Sequence, residues 1–325
     1  MISKKLNILV TGIGGDIGIG IVSILNKIQY HSTLIGCDIN NYPASKNQVD
    51  FFYNAPSAKD QGMYIDFLNK LCSKHNIDLI IPSSEIEIKV LSKTRNFFDE
   101  NQIKLLINND HIIDIFMDKL KTIKFFEENK IFYPKTFLFE NFEDQLDYPF
   151  LVKRKFTAGS KGIFIVEDAQ DLEYYRKKYS DSIVQEIVGD SEKEYTIGVF
   201  SDGNKTFNIA FQRKLGFGSL SRFVKLVNDP KIDELAKNIS NFIHLKGSIN
   251  IQVRKDEKGE YIPFEINPRL SSTLAFRSYF GFEDLKWWID MIYGDEIEYK
   301  PIYKAGIGVK TLSEIYFELE EREEQ

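Results

Sequence analysis

The first 110 residues alternate short apolar runs with amphipathic stretches, and this alternation limits the possible folds more than any other feature of the chain. Four apolar runs predict β-strands: LNILVT (6–11), STLIGCDI (32–39), IDLIIPSS (77–84) and IKLLIN (103–108). Stretches that predict amphipathic helices separate them, at residues 19–28, 62–76 and 86–101. Strands that alternate with helices predict a parallel sheet covered on both faces. Such sheets bind ligands at the carboxyl ends of their strands.

The pattern changes beyond residue 110, where two further blocks follow. Residues 111–133 predict helix, and residues 149–200 predict antiparallel strands around a helix at 169–179. A third block of strands follows, with hairpin signals in the turns SDGN and DEKGE. The chain therefore combines a parallel α/β unit with two units rich in antiparallel strands.

Length and composition exclude several classes of protein. A chain of 325 residues with 43% hydrophobic residues has enough apolar material for two or three packed units. The formal charge of −6 argues against a nucleic-acid partner, because such proteins present a basic surface. We expect no membrane partner, since no apolar stretch reaches about 18 residues and no leader is recognised. Two cysteines, Cys37 and Cys72, form no disulfide framework, so we expect a cytoplasmic protein.

The turn TGIGGDIGIG (11–20) lies between the first strand and the first helix, with glycine spacing typical of a dinucleotide-binding loop. Asp38 follows about 20 residues later, where an acidic residue can bind a ribose. The Tyr-x-x-x-Lys pair of short-chain dehydrogenases is spaced as in YPASK (42–46), which holds Pro43 in a loop, and in YYRKK (174–178), far along the chain. The same glycines can simply permit a tight turn. An NAD(P)-dependent dehydrogenase or epimerase is one alternative for this chain.

Oxygen-bearing side chains gather on two predicted strands in the third block. Glu265 and Asn267 are two positions apart on one strand, so both point to the same face of the sheet. Gln252 lies on the preceding strand. Three such oxygens facing one cavity suit Mg²⁺, and Arg269 beyond them suits a phosphate. A solvated hairpin is the alternative, although the apolar neighbours of Glu265 argue for burial.

The segment FEINPRLSSTLAF (264–276) resembles the magnesium-binding segment of the ATP-grasp family. The similarity is greatest to the ATP-binding halves of the carbamoyl phosphate synthetase large subunit, and it extends to standalone ligases such as the pyrrolysine-biosynthesis ligase. It covers residues 110–290, and the first block resembles the domain that precedes an ATP-grasp unit. Two departures stand out: Gln252 replaces the acidic ligand of many members, and the segment 211–227 lacks the histidine of the synthetase.

The resemblance assigns nucleotide contacts to four segments in the family's order. It implies that Lys119 and Lys153 contact phosphates, that a hinge meets the adenine edge and that Glu194 holds the ribose. A loop of small residues would close over the β- and γ-phosphates. The residues assigned to ATP are Lys119, Lys153, Ala158, Gly159, Ser160, Lys161, Gly162, Glu186, Ile187, Val188 and Glu194. The metal ligands would be Gln252, Glu265 and Asn267, and the catalytic cations would be Lys153 and Arg269.

The resemblance also implies the architecture and the reaction. We expect an α/β protein with a Rossmann-like parallel-sheet domain at 1–110, followed by a two-lobed α+β ATP-grasp domain with a small lobe at 111–185 and a large lobe at 186–325. ATP and one or two Mg²⁺ ions, with Mn²⁺ as a substitute, would activate a small-molecule carboxylate as an acylphosphate for attack by an amine. Homodimer formation is a family-level expectation. A non-catalytic nucleotide-binding subunit is a further alternative, favoured if neutral Gln252 weakens metal binding.

The parallel sheet would then serve the substrate. Gly12, Gly14 and Gly15 would form a cup of backbone N–H groups for a carboxylate or another anion. Ser84 and Glu85 end a neighbouring strand, so they are candidate substrate contacts. The alternative for these positions is the N-terminal cap of a helix without a ligand.

Three further cations lie near these motifs in the sequence. Arg277 follows Arg269 by eight residues and would meet a substrate carboxylate or form a surface salt bridge. The roles of Arg213 and Lys225 are left open by the missing histidine.

Overall fold

The computed structural model describes residues 5–154, 162–190, 193–216, 220–299, 305–311 and 315–317. They form three sheets, of which the first is parallel and the other two are antiparallel. The mixed α/β architecture expected from the sequence is confirmed. No helix in these ranges has both the length and the apolar character needed to cross a membrane.

Five parallel strands make the first sheet: β1 (Leu6–Thr11), β2 (His31–Asp38), β3 (Phe51–Asn54), β4 (Leu79–Ile81) and β5 (Lys104–Leu105). Their spatial order is β3–β2–β1–β4–β5. The helices of this unit are α1 (Asp16–Ile28), α2 (Gln61–His75), α3 (Glu85–Lys93) and α4 (Arg95–Glu100). The four predicted strands are present, whereas the edge strand β3 is not anticipated by the sequence pattern.

The single helix predicted over residues 86–101 is wrong, because the helix is interrupted at Thr94. This residue leaves helical geometry (φ −112°, ψ 15°), and its hydroxyl donates to the carbonyl oxygen of Val90 at 3.0 Å. Such a bond from a side chain to the preceding turn competes with continuation of the backbone ladder. The chain therefore forms α3 and α4 as separate helices.

The second sheet follows two helices, α5 (Asp110–Phe116) and α6 (Lys119–Glu128). Its strands and helix are β6 (Thr136–Leu138), β7 (Phe150–Arg154), β8 (Ile163–Val166), α7 (Ala169–Lys178) and β9 (Ser182–Glu186). The spatial order is β6–β9–β7–β8, with antiparallel pairing throughout. This agrees with the antiparallel pattern predicted for residues 149–200, to which β6 adds an edge.

The third sheet is the largest, with the spatial order β14–β13–β10–β11–β12–β15. Its strands are β10 (Glu194–Asp202), β11 (Thr206–Leu215), β12 (Ser221–Val227), β13 (Lys246–Lys255), β14 (Tyr261–Asn267) and β15 (Ile307–Val309). Its helices are α8 (Pro230–Phe242), α9 (Leu274–Tyr279) and α10 (Asp284–Tyr293). The pairs β10–β13 and β13–β14 bring the predicted metal ligands to adjacent strands.

The first and third sheets share one hydrophobic core. Ile8 and Val10 of β1 are fully buried and belong to the same cluster as Phe200, Phe211 and Trp287. Leu9, between them, points to a second cluster formed with α2 and α3. Burial on both faces explains the continuous apolar run of β1. The shared core fixes the end of β1 beside the third sheet.

Candidate active site

Residues from all three sheets line one cleft of about 930 Å³. The predicted site residues that line it are Gly15, Ser84, Lys119, Lys153, Glu186, Ile187, Val188, Glu194, Gln252, Glu265, Asn267 and Arg269. The described residues Gly12, Gly14, Glu85, Gly162 and Arg277 are outside the lining. The predicted loop residues 158–161 lie outside the part of the chain that the structure describes. Segments that are up to about 250 positions apart in the sequence therefore meet at one site.

Lys153 lies on β7 with only 8% of its surface exposed. Its Nζ donates to the amide oxygen Oε1 of Gln185 at 2.5 Å. Burial lowers the pKa of this ammonium from 10.5 to about 8, although nearby Glu265 opposes the shift. A buried ammonium whose hydrogen-bond acceptor is a neutral amide is stabilised when an anion binds beside it. Lys153 therefore fits the phosphate-binding role that the sequence predicts.

A β-bulge shapes the end of the cleft that contains the predicted metal ligands. Gln252 pairs with Glu265 across β13 and β14, whereas Val253 pairs with Pro263, so Phe264 is an extra residue. Because of this bulge, the neighbouring side chains of Phe264 and Glu265 both line the cleft. Simple alternation would send Phe264 to the opposite face, which is why the sequence analysis missed it.

Phe264 lies between two cations. Its ring centroid is 5.5 Å from Lys153 Nζ and 5.6 Å from the guanidinium of Arg254. Cations over an aromatic face at such distances are attracted to it without being neutralised. The ring therefore helps to hold two positive groups in the cleft, of which Arg254 is also paired with Glu194. Arg254 is a second lining residue that the sequence analysis missed; its position two residues after Gln252 on β13 is the available signal.

A buried ion-pair network orders the base of the cleft. Glu194 Oε1 accepts from Arg213 Nη2 at 2.7 Å, and Glu194 Oε2 accepts from Arg254 Nη2 at 3.1 Å. Arg213 also donates to Gln252 Oε1 at 2.9 Å. Arg213 therefore orients a predicted metal ligand, whereas Lys225 is exposed on β12 and outside the lining. Each carboxylate oxygen accepts two bonds, from the Nε and Nη2 atoms of one arginine, so both oxygens are fully used within the fold. The ribose contact of Glu194 stays a prediction, and it would require one of these bonds to give way.

The predicted metal ligands offer one carboxylate and two amides. Glu265 accepts no hydrogen bond from the described residues, while Asn267 Oδ1 accepts from Arg269 Nη2 at 3.1 Å. Within the described ranges, no cluster of three or more His, Cys, Asp or Glu side chains is arranged for a metal. Mg²⁺ commonly binds through one or two carboxylates together with substrate phosphates. The donor set therefore fits a metal that binds along with a nucleotide.

Arg269 joins the first sheet to the third. Its Nη2 donates to Glu85 Oε1 at 2.7 Å, and its Nε donates to the same oxygen at 3.2 Å. Glu85 begins α3, so its predicted substrate contact is replaced in this structure by an ion pair with the predicted phosphate-binding arginine. The pair fixes the direction of the guanidinium at the cleft.

The hinge after β9 closes the other end of the cleft. Glu186 uses both its N–H and its Oε1 to bond the backbone of Lys135, at 2.9 and 2.7 Å. The side chain of Glu186 is therefore committed to the fold, and Ile187 and Val188 remain as the lining hinge residues. Apolar residues missed by the sequence analysis complete these walls, namely Leu151, Ile163, Ile165, Leu215 and Leu220. Exposed isoleucines at alternate positions of β8 are consistent with a slot for a flat ring.

Comparison with known proteins assigns the family. Residues 179–315 match a family model described as ATP-grasp in the biosynthetic pathway with Ter operon. Residues 8–106 match a model described as the PylC-like N-terminal domain. Residues 179–315 belong to the ATP-grasp superfamily. The resemblance expected from the sequence is thereby confirmed.

Curated relatives of this ATP-grasp chain include the carbamoyl phosphate synthase large chain of Clostridium botulinum (strain Kyoto / Type A2). The two are 25% identical over 310 residues, which covers 85% of this chain and 28% of the relative. The same protein of Caldanaerobacter subterraneus is 26% identical over 242 residues, covering 65% of this chain and 22% of the relative. The chain therefore spans less than a third of the length of these relatives.

Solved structures share the fold. The biotin carboxylase domain of Hydrogenobacter thermophilus 2-oxoglutarate carboxylase, in complex with MgADP, has a TM-score of 0.73 at 14% identity, covering 94% of this chain and 74% of that one. N5-carboxyaminoimidazole synthetase from Staphylococcus aureus, complexed with ADP, has a TM-score of 0.72 at 17% identity, covering 91% and 80%. An L-amino acid ligase from Bacillus licheniformis has a TM-score of 0.69 at 15% identity, covering 88% and 74%.

The glycine turn of this ATP-grasp protein does not form the predicted anion cup. The N–H of Gly14 donates to Asp38 Oδ2 at 2.8 Å, and the N–H of Gly15 donates to the carbonyl oxygen of Gly12 at 3.2 Å. Gly12 has φ +63°, and a Cβ on Gly18 would lie 2.2 Å from the Gly12 oxygen. The glycines therefore permit a tight turn and close packing of α1. Asp38 is 6% exposed and already bonded, so it is not available for a ribose.

Ser84 caps a helix in this structure. Its Oγ accepts from the N–H of Glu87 at 3.4 Å, and Glu87 Oε2 accepts from the N–H of Ser84 at 3.1 Å. This reciprocal arrangement is a capping box at the start of α3. The alternative of a helix cap is therefore confirmed for Ser84, although the residue also lines the cleft.

Both alternatives for Arg277 are wrong. The side chain is 0% exposed, and its Nη1 donates to Asp284 Oδ2 at 2.8 Å in a fully buried ion pair. Its Nη2 donates to Asn250 Oδ1 at 2.5 Å and to Ser271 Oγ at 2.8 Å. A Cβ on Gly198 would lie 2.4 Å from the guanidinium carbon, so this strand position accommodates the arginine. Arg277 holds two lining residues from beneath the cleft rather than meeting a substrate.

Proposed function

We propose that this chain is an ATP- and Mg²⁺-dependent ligase that activates a carboxylate and transfers the acyl group to an amine. The observation that carries the proposal is the convergence of Lys153, Glu265 and Arg269 on one cleft from two separate segments, β7 and the end of β14. This grouping combines cations for phosphates with a carboxylate, Glu265, that accepts no hydrogen bond from the described residues and could bind a metal. Phosphoryl transfer uses such a combination. The fold shared with proteins crystallised with ADP supports the choice of nucleotide.

The nucleotide would bind with its base in the apolar slot and its phosphates toward the third sheet. Ile163 and Leu215 would cover the ring, and the hinge at 186–188 would meet its edge. Lys153 would neutralise phosphate oxygens, together with the predicted loop at 158–162. A bound Mg²⁺ would neutralise further charge on the β- and γ-phosphates.

The reaction would proceed in two balanced steps. In the first, a carboxylate oxygen of the substrate bonds to the γ-phosphorus, the bond to the β-phosphate oxygen breaks, and ADP leaves. In the second, the neutral amine nitrogen bonds to the acyl carbon, the carbon–oxygen bond to phosphate breaks, and the released phosphate takes up the proton that the nitrogen loses. Arg269 would stabilise negative charge on the transferred phosphoryl group, held in direction by Glu85.

A thermal-shift series tests this function. The wild-type chain is compared with ATP plus Mg²⁺, ATP plus a chelator, and NADPH. A ligand at 100 times its dissociation constant adds about 2.7 kcal/mol of stability, which is readily visible. We expect stabilisation by ATP that requires Mg²⁺ and is lost in Glu265→Ala. Glu260→Ala is the control, because Glu260 lies at the opposite end of the same hairpin and pairs with exposed Lys231.

Each outcome separates two functions. Mg²⁺-dependent stabilisation that survives Glu260→Ala and not Glu265→Ala supports the ligase and justifies screening acid–amine pairs for ADP release. Stabilisation by NADPH alone would overturn the proposal in favour of a dehydrogenase. ATP binding that ignores both Mg²⁺ and Glu265 would point to a non-catalytic nucleotide-binding subunit.

A further inference from the structure

The end of the cleft beside the first sheet differs in chemistry from the rest. Apart from Ile17, its lining is small and polar, with Gly15, Asp16, Ser83, Ser84, Ser271 and Ser272. Asp16 begins α1 and is the one charged residue that the first sheet's unit contributes to the described lining. This end is therefore suited to a ligand with a positive group rather than to the anion that a glycine cup would take.

The other acidic residues of this lining have assigned work. Glu194 is held by two arginines, and Glu186 Oε1 accepts from the backbone of Lys135. Glu265 lies at the end that contains the predicted metal ligands, opposite Gln252. Asp190 lies just beyond the 186–188 segment and pairs with exposed Lys193. Asp16 is the acidic lining residue beside the first sheet, where it can recognise a second substrate.

Asp16 already holds an ammonium group that belongs to the chain itself. Lys310 directly follows β15, where its backbone N–H donates to the carbonyl oxygen of Arg222 at 2.8 Å. Its Nζ pairs with Asp16 Oδ1. The lysine side chain is 30% exposed and the Asp16 side chain 13% exposed, so the pair is open on the lysine side. Asp16 Oδ2 has no hydrogen-bond partner among the described residues.

We propose that Asp16 is the subsite for the ammonium group of the amine substrate, and that Lys310 occupies this subsite until the amine displaces it. The inference rests on the proposed ligase function and names the group that recognises its second substrate. The amine enters as a cation and exchanges with the lysine ammonium at Asp16 Oδ1. Ser83, Ser271 and Ser272 line the same cleft. The Ser83 hydroxyl donates to the Gly12 carbonyl oxygen and Ser271 Oγ accepts from Arg277, so Asp16 is the group that recognises the amine.

The exchange predicts opposite effects from the two halves of one ion pair. Asp16→Asn removes the charge that binds the amine, which should weaken amine binding at least about tenfold. Lys310→Met removes the competing ammonium, which should strengthen amine binding about two- to fivefold, as expected for a partly exposed pair. If Asp16 only stabilised the N-terminus of α1, neither substitution would change the affinity for the amine.

The experiment measures apparent amine dissociation constants by thermal shift, with the chain saturated by the non-hydrolysable ATP analogue AMP-PNP and Mg²⁺. The probes are ethanolamine, glycine and putrescine, with ethylene glycol as the neutral compound and KCl at matched ionic strength. The control variant is Lys177→Met, which breaks an exposed ion pair with Glu173 away from the cleft. We expect saturable stabilisation by at least one amine and none by ethylene glycol.

The result expected is weakening in Asp16→Asn, strengthening in Lys310→Met and no change in Lys177→Met. Shifts in the same direction for both members of the pair, or no amine response that depends on Asp16, would overturn the subsite. The Mg²⁺-dependent shift with AMP-PNP is read from the same samples before amine is added. If the wild-type chain showed no Mg²⁺-dependent shift with AMP-PNP, the ligase function itself would be contradicted. If that shift were present but Asp16→Asn did not change amine binding, only the subsite would be contradicted.

Discussion

The glycine turn at residues 11–20 and the β13–β14 strand pair are two motifs for which the sequence predicts ligand contacts. In the structure, the polar groups of the turn are hydrogen-bonded within the fold, whereas Gln252 and Glu265 of the strand pair line the cleft. At the turn, the N–H of Gly14 and the carboxylate of Asp38 satisfy each other, and α1 packs tightly onto Gly12. At the strand edge, Glu265 accepts no hydrogen bond from the described residues, and in the same cleft Lys153 of β7 is buried against a neutral amide. The polar groups of the turn are thus satisfied within the fold, whereas Glu265 and Lys153 form no ion pair with the described residues.

The difference teaches how to separate a structural motif from a functional one. A polar group whose hydrogen bonds are complete within the fold gains little from a ligand. A buried charge without a balancing partner has a free-energy cost that a ligand can remove. The glycine fingerprint therefore serves packing, while the less regular downstream set serves the cleft.

The largest expected effect tests whether Arg277, like the glycine turn, has a purely structural role. Arg277→Met would leave the buried Asp284 carboxylate without its cation and remove a bond to Asn250. We expect a loss of about 3–5 kcal/mol in the free energy of unfolding, measured by urea titration. Arg95→Met is the control, because Arg95 pairs with the exposed Asp110 and should cost less than about 1 kcal/mol. Equal effects in the two variants would contradict this assignment.

The next effect tests the unbalanced charge of Lys153. Burial lowers its folded-state pKa from 10.5 to about 8, so the unfolded chain binds more protons between these two pH values. Stability attributable to this residue should therefore rise with pH across that window, by up to about 3 kcal/mol. Lys153→Met should abolish this contribution, measured as the difference between wild-type and variant urea curves at pH 7.5 and 10.

The same lysine should act on nucleotide binding with the opposite sign. Its protonated form binds phosphates, so wild-type affinity for ATP plus Mg²⁺ should fall as pH rises above about 8. Lys153→Met should bind ATP at least about tenfold more weakly at pH 7. Lys177→Met, at an exposed position, should change neither property. If Lys153→Met retained both the pH dependence and the affinity for ATP, Lys153 would not be a phosphate-binding residue.

The smallest effect tests the packing role of the glycine turn. Gly18→Ala would place a Cβ 2.2 Å from the Gly12 oxygen, and we expect a cost of about 1–3 kcal/mol in urea unfolding. Gly62→Ala is the matched control in α2, since its nearest atom would be 3.9 Å away, and it should be neutral or stabilising. Binding of NADPH that is lost in Gly18→Ala would reverse the comparison and restore the turn as a cofactor site.

Much of the fold could be predicted from the pattern of apolar residues. The run at β1 is buried on both faces, so its continuous apolar character signals a central parallel strand. Short elements could not be predicted from this pattern. β3 is an exposed edge strand with few core contacts. Thr94 interrupts a helical pattern through one local hydrogen bond. For the site, period-two alternation brought Glu265 and Asn267 to one face, but a bulge added Phe264.

The parallel and antiparallel units could be read from the sequence, because they follow from local periodicity, and the residues expected at the cleft followed from its resemblance to the ATP-grasp family. Which polar groups have hydrogen-bond partners within the fold depends on the tertiary structure. Asp38, Glu186 and Arg277 are bonded to partners far along the chain or beneath the surface, whereas Glu265 and Lys153 are not balanced in this way. Hydrogen-bond satisfaction depends on contacts between distant segments, and local pattern carries no information about those contacts.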